Sequence, residues 1–250
     1  MKGFCVTAVR LLLICVVLVI PVGGQARRSK TKVTAAPVQA VTKVAVLELG
    51  ALGLSSAMRN NLELLVRNSI NTISGFRVTA PIDVQMALRE PRNKEISECG
   101  GGPDCAVQIG KLVGADLVVF GTISTIGEAF SLNLRVMDVA TGREMAREKS
   151  RISGTRDLLI PEVRLATFKL VAPEKIRGAL LIEIDVAGVE IEIDGRQVGV
   201  TPLDKPVDEL TPGPHVVVLK RPGFSDSQQE FVIKPFETAK LKLELDKPKN

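Results

Sequence analysis

The chain has 250 residues but no tryptophan or tyrosine, one histidine and four cysteines, and aromatic residues make up only 3% of it. With scattered Phe as the only aromatics, no platform exists on which single-stranded bases could stack. The Lys and Arg residues are interspersed with carboxylates, and the formal charge of +5 falls to +3 once Lys2 and Arg10 are set aside with the leader described below. No nucleic-acid partner is expected from so mild a balance. A glycosidase cleft would want aromatic platforms that this composition lacks. The single histidine, His215, lies in a β-rich stretch, which argues against a Ser-His-Asp or Cys-His site. Zinc would need ligands that one imidazole and two nearby thiols do not supply. We therefore expect no catalytic residues, no cofactor-binding residues, no metal site and no small-molecule substrate.

What is present begins with an export signal. Lys2 and Arg10 precede the apolar run Leu11 to Ile20, Pro21 breaks it, and Gly24-Gln25-Ala26 offers small side chains for cleavage after Ala26. The run falls short of the roughly 20 apolar residues that a bilayer-crossing helix needs. Residues 1–26 are read as a signal peptide, the alternative being an uncleaved anchor in the inner membrane. Leu12-Leu13-Ile14-Cys15 is a poor lipidation site, because Ile14 is not small and Cys15 sits inside the apolar run. Residues 27–42 are read as a flexible linker. Its basic start, Arg27-Arg28-Ser29-Lys30-Thr31-Lys32, is a solvated tether in the plain reading; the sharper one is peripheral attraction to anionic lipid headgroups or cell-wall polymer.

From Lys43 the chain turns structured. Val44 to Leu49 is an apolar run closed by Gly50 and predicts a buried strand. Ser55 and Ser56 can cap a helix whose stripe is Leu62, Leu65, Val66, Ser69, Ile70 and Ile73, ended by Gly75. Phe76 to Thr79 reads as a second strand, and Pro81 as the first turn of a helix to about Leu88. A Gly- and Cys-containing loop follows, then a helix over Asp104 to Val113. Asp116 to Ser124, Phe130 to Asp138 and Arg143 to Ser150 are three strands in antiparallel succession. Residues 156–171 regain helical spacing, with Pro161 delaying the start. Residues 43–172 are thus expected to form an α/β domain with a mixed sheet, and the whole chain an α+β protein.

A second unit, 177–246, is all strand: Gly178–Ile184, Val189–Asp194, His215–Lys220, Glu230–Lys234 and Ala239–Leu245, separated by Gly, Pro and Asp turns. Glu190, Glu192 and Asp194 alternate and are expected to line one face, as a solvated acidic stripe or as a weak contact for a cation or basic ligand. In the first unit, Cys99 and Cys105 bracket Gly100-Gly101-Gly102-Pro103-Asp104. In an oxidising compartment the first reading is a disulfide, with a metal pair or a redox pair as its rivals. The glycine run has no Gly-Lys-Ser/Thr ending and is not a phosphate loop.

Residues 177–246 resemble the PEGA family of bacterial envelope domains. The carriers are Gly188 to Gly195 with its Asp194-Gly195 turn, Gly199-Val200-Thr201-Pro202-Leu203, Gly213-Pro214-His215 and Gly223-Phe224. Val186-Ala187-Gly188-Val189 stands where the family writes its Pro-Glu-Gly-Ala, so only Gly188 is kept. The resemblance implies a small β-sandwich used for binding or spacing, with no chemistry of its own. On this reading Asp194-Gly195 makes a tight hairpin turn, Thr201-Pro202 turns the chain after a short strand, Gly213 permits a sharp re-entry, and Phe224 plugs the core. Residues 43–172 look like the TolB amino-terminal and CsgG-like superfamily, carried by Val44 to Leu49, by Val113 to Gly121 and by the turn Asp138 to Gly142. That resemblance implies a protein-interaction domain. No long alternating hairpin with a lipid-facing side is present to suggest a pore.

These readings together predict a non-enzymatic protein of the periplasm or cell envelope. It would bind or scaffold an envelope protein or cell-wall component; the alternative is a periplasmic subunit of an outer-membrane secretion or motility assembly.

Overall fold

The structure, a computed structural model, describes residues 41–153 and 158–245. The expected signal peptide, linker residues 27–40 and the tail 246–250 lie outside the described residues. Linker residue 42 does not: Thr42 already opens the first strand.

Strand β1 (Thr42–Val46) is covered on both faces, which is why it reads as an unbroken apolar run rather than an alternation. Strand β2 (Gly50–Leu52) continues its direction. Helix α1 (Ser56–Asn71) starts where the Ser55 side chain accepts a hydrogen bond from the Met58 N–H at 3.2 Å, and it buries Leu62, Val66, Ser69 and Ile70. After β3 (Phe76–Val78) come α2 (Pro81–Arg89), the short α3 (Lys94–Ser97) and α4 (Pro103–Leu112). The meander β4 (Leu117–Ile126), β5 (Ala129–Asp138) and β6 (Glu144–Ser153) leads to α5 (Leu159–Val171).

The sheet order is β3-β1-β4-β5-β6. β1 pairs in parallel with β3 and β4, and the last three strands are antiparallel. The mixed sheet is as expected. Val44 and Val46 meet α1 and α5, while Ala45 between them meets α4 on the opposite face. Pro161 does not break α5, because it falls in the first turn, where backbone N–H groups have no intrahelical acceptor.

Two features differ from expectation here. The strand read as Val44 to Leu49 is in fact split. Val46 pairs with Val119 and Gly50 with Thr122, so three residues on one strand face two on the other. That extra residue is a bulge, which periodicity alone does not announce. The loop before α4 contains α3, pinned by Asn93, whose Nδ2 donates to the Ala87 carbonyl at 2.8 Å.

The second lobe is a two-layer sandwich. It runs through β7 (Gly178–Glu183), β8 (Glu190–Ile193), β9 (Arg196–Val200), β10 (Val207–Leu210), β11 (Gly213–Lys220), β12 (Ser227–Ile233) and β13 (Thr238–Lys242). One sheet is β10-β7-β13 and the other β12-β11-β8-β9. Alternate residues point inward from both sheets: Leu180 from one, Ile191, Ile193, Val217, Leu219, Phe231 and Ile233 from the other. Phe224 is not the core plug. It is half-buried under the Arg221 guanidinium, 4.9 Å from its ring, and the aromatic in the core is Phe231. Phe224 sits in the turn between β11 and β12, whose inner positions Val217, Leu219, Phe231 and Ile233 already fill.

The two lobes belong to one compact unit. Phe168 of α5 meets Phe236 edge-on at 4.7 Å between ring centroids, Arg164 lies over the Phe236 ring at 4.4 Å, and Ile73, Ala172 and Ile176 complete the cluster. Among the described residues no helix is long and apolar enough to cross a membrane.

Candidate functional site

In an open α/β sheet the chain leaves neighbouring parallel strands toward opposite faces, and a crevice opens at their carboxyl ends. Here β1 feeds α1 on one face and β3 feeds α2 and α4 on the other. The resulting crevice has a volume of about 860 Å³. Its floor is the bulge after β1. Asn60, Glu63 and Leu64 of α1 form one wall, and Val84, Gln85 and Leu88 of α2 form the other.

Arg67 holds this arrangement together. It is buried, yet each of its three side-chain nitrogens finds a partner. Its Nη2 donates to the Val46 carbonyl at the end of β1, and its Nη1 to the Thr79 carbonyl just past β3, at 3.3 Å. The Glu63 carboxylate accepts from Nε at 3.1 Å and Nη2 at 2.8 Å, one helical turn away. A planar guanidinium suits this fork of acceptors. Committed in this way, Arg67 shapes the crevice rather than offering a charge to a ligand. At the open side Arg59 pairs with the exposed Glu48, and Leu64 is 53% exposed. Gln85 and the amide nitrogen of Asn60, whose Oδ1 accepts from Arg59 at 3.3 Å, remain as hydrogen-bonding groups beside Leu64 and Val84. Such a lining accepts a mixed polar and apolar group. Among the described residues no group of three His, Cys, Asp or Glu side chains could hold a metal.

Cys99 and Cys105 border the crevice, with Cα atoms 5.8 Å apart and sulfurs at bonding distance. Gly101 lies between them with φ +74°, and the intervening run needs that slack to bring the sulfurs together.

The family-motif residues fall into two structural groups and two isolated turns. Thr201, which is buried, straps the segment around Gly188. Its Oγ1 donates to the Val186 carbonyl at 2.7 Å and accepts from the Val189 N–H at 3.0 Å. The Gly188 N–H donates to the Thr201 carbonyl, and the Thr201 N–H to the Val189 carbonyl, each at 2.9 Å. Pro202 follows directly, and Gly199 precedes by two residues, close against Leu203. Asp194 and Gly195, both at positive φ, make the β8–β9 turn, as a two-residue hairpin requires. Gly213 opens β11, and Gly223 lies beside Phe224 in the next turn; neither joins the other groups.

The acidic stripe is not continuous. Glu192 pairs with Lys220 at 2.7 Å on the outer face, but the positive φ of Asp194 carries its carboxylate off that face. There Oδ1 accepts from the Val216 N–H at 3.0 Å, and Oδ2 lies 2.6 Å from His215 Nδ1. His215 Nε2 is 2.6 Å from the Thr211 carbonyl. Both ring nitrogens face acceptors, an arrangement that favours the protonated ring. Burial works against the charged ring, but the Asp194 carboxylate and the Thr211 carbonyl outweigh it and raise its pKa. The Val216 N–H and then His215 lower that of Asp194. The ring stacks on Phe231 at 5.5 Å. With both nitrogens hydrogen-bonded, His215 ties the Asp194 turn to Thr211, just ahead of β11. Neither this pair nor the Arg67 fork was anticipated. The i,i+4 spacing of Glu63 and Arg67 beside an apolar stripe was the one visible signal, whereas Asp194 and His215 are 21 residues apart.

An α/β lobe with a strand-end crevice, packed against a β-sandwich, defines the class of protein. Residues 177–249 match the PEGA domain family, so the chain carries a PEGA domain at its carboxyl end. Among solved structures the chain is similar to the LpoB C-terminal domain from Escherichia coli, with 21% identity over 48% of this chain and 88% of that one and a TM-score of 0.38. It is also similar to the lipoprotein GNA1162 from Neisseria meningitidis, with 14% identity over 46% and 83% and a TM-score of 0.36. TolB from Acinetobacter baumannii is 11% identical over 79% of this chain and 50% of that one, with a TM-score of 0.36. No curated protein matches the chain.

Proposed function

We propose that this is an exported, non-enzymatic protein of the cell envelope whose α/β lobe binds a partner protein while its PEGA domain spaces or docks that lobe. The observation that carries the reading is the PEGA domain itself, packed on an α/β lobe through Phe168 and Phe236. The occupied state of the only imidazole supports a role without catalysis. The crevice supports partner binding, since an exposed leucine beside hydrogen-bonding side chains is the lining that a protruding side chain or short segment uses.

The test is photocrosslinking in intact cells from a benzoylphenylalanine placed at Leu64, with the same probe at exposed Glu230 of β12 as control. The reading expects a discrete heterologous adduct from position 64 that is missing from position 230. A ladder of the chain's own multiples would instead favour a subunit of an envelope assembly. Identical smears from both positions would remove the crevice as a binding site.

A further inference from the structure

The sheet of the α/β lobe ends at β6, which pairs with β5 alone over residues 144–153. Half of its backbone N–H and C=O groups therefore point away from the sheet, and among the described residues no other strand meets them. Such an edge is a ready template for one more strand. On the face turned away from α5, the side chains of β6 are Arg147, Lys149 and Arg151, all exposed, with Arg135 of β5 directly beside Arg147. Among the described residues one carboxylate answers them. Glu144 accepts from Arg147 at 2.8 and 2.9 Å and lies 3.6 Å from Arg135. Glu148 belongs to the other face, where it lies 3.8 Å from Lys169 of α5. Lys149 and Arg151 have no ion-pair partner among the described residues.

The row selects what can be added. A second copy of β6, paired antiparallel so as to extend the sheet, must set odd-numbered residues opposite odd-numbered ones. Every register that overlaps the row then sets two of Arg147, Lys149 and Arg151, or one of them twice, against each other, and like charges directly opposite are destabilising. A polyanion lying flat on the sheet is also a poor match. The neighbouring columns of that face hold Phe120, Thr122 and Ser124 on β4 and Asn133 and Ser131 on β5. Apart from Arg135 the cations are confined to the column beside the open main chain.

We propose that β6 accepts an extended acidic segment of a partner protein as an added strand, with carboxylates at alternate positions set opposite Arg147, Lys149 and Arg151. Side chains two residues apart on a strand share a face, so an acidic-x-acidic-x-acidic segment matches the row. The single-sign row also guards the edge against self-association, so the same residues exclude one strand and admit another. The proposal stands on the sheet edge alone, independently of export and of the crevice.

The test uses the purified chain and a fluorescent nine-residue peptide alternating Glu and Thr, read by anisotropy. Three comparison ligands accompany it: the same peptide with every second amide N-methylated, its Lys-Thr counterpart, and vesicles containing phosphatidylglycerol. We expect saturable binding of the acidic peptide, weakened at least tenfold by N-methylation and by raising salt, and no binding of the Lys-Thr peptide. The variant Lys149→Glu/Arg151→Glu, both surface positions, should lose binding while keeping its circular dichroism spectrum. Equal affinity for the N-methylated peptide would overturn strand addition in favour of charge alone. Vesicle binding that the peptide cannot displace would reassign the row to lipid. Failure to bind at millimolar peptide would refute the proposal outright.

Discussion

Arg67→Met tests the physical core of the α/β lobe. Methionine keeps the straight aliphatic stem but removes all four donated hydrogen bonds, two to Glu63 and one each to the carbonyls of Val46 and Thr79. Glu63, whose side chain is 16% exposed, is left as a largely buried carboxylate without a partner. Breaking one side of a buried ion pair costs about 3–5 kcal/mol. For a folded body of this size that lowers Tm by roughly 6–20 °C. Replacing both members, Arg67→Met with Glu63→Leu, removes the orphaned charge and leaves only the two carbonyls short of a donor. The double variant should therefore be more stable than Arg67→Met by about 1–3 kcal/mol, although it carries one more substitution. Urea denaturation followed by far-ultraviolet circular dichroism reads both values. If Arg67→Met unfolds within about 1 kcal/mol of the parent, or if the double variant is the less stable of the two, then Arg67 is not what joins the strand ends.

Four further outcomes follow from particular contacts. The folded pKa of His215 is raised and that of Asp194 lowered, so their bond contributes fully below about pH 6.5 and is lost as pH rises through the folded value of His215. At the acid end it is lost as pH falls through the folded value of Asp194. Melting curves from pH 5 to 9 should show Tm falling with alkalinity in the parent but not in Asp194→Asn, whose amide cannot favour the charged ring; parallel profiles would refute the pair. Gly121→Ala would bring a Cβ within 2.1 Å of the Asn133 carbonyl oxygen across the β4–β5 pair, and we expect about 1–3 kcal/mol of destabilisation by urea titration. Phe231→Ala should cost about 3–5 kcal/mol and Phe224→Ala far less; the reverse order would restore Phe224 to the core. Reductant should lower the urea midpoint by an amount equal to about 2 kcal/mol, and Cys99→Ser/Cys105→Ser should match the reduced parent and ignore reductant.

Legibility in the sequence followed the range of the interaction. The β4–β6 meander could be read because Leu132, Leu134 and Val136 alternate and Asp138 to Gly142 is a local turn, in which Asp138 accepts from the Thr141 N–H at 2.7 Å. The sandwich was legible through its turns, Asp194-Gly195 above all, since positive φ at two successive residues restricts what can occupy them. Non-local features stayed hidden. The bulge between β1 and β2 depends on the register of β4, and β9 and β10 are too short for an alternation to show. Phe224 was misplaced because large apolar size was taken as burial, whereas the inner positions of β11 and β12 already fill the core. The crevice and its Arg67 fork arise only when the ends of β1 and β3 come side by side, 33 residues apart between Val46 and Thr79. Asp194 was assigned to a stripe because alternation was extended one residue into a turn, where a left-handed backbone turns the side chain away.

The account depends most on translocation into an oxidising envelope compartment. Intact-mass spectrometry with thiol alkylation, performed on the chain recovered from fractionated cells, tests it directly. The account predicts a mature chain beginning at Arg27 in the envelope or periplasmic fraction, with Cys99 and Cys105 both resistant to alkylation until reductant is added. Recovery from the soluble cytosol at full-length mass, with both thiols reactive at once, would contradict it.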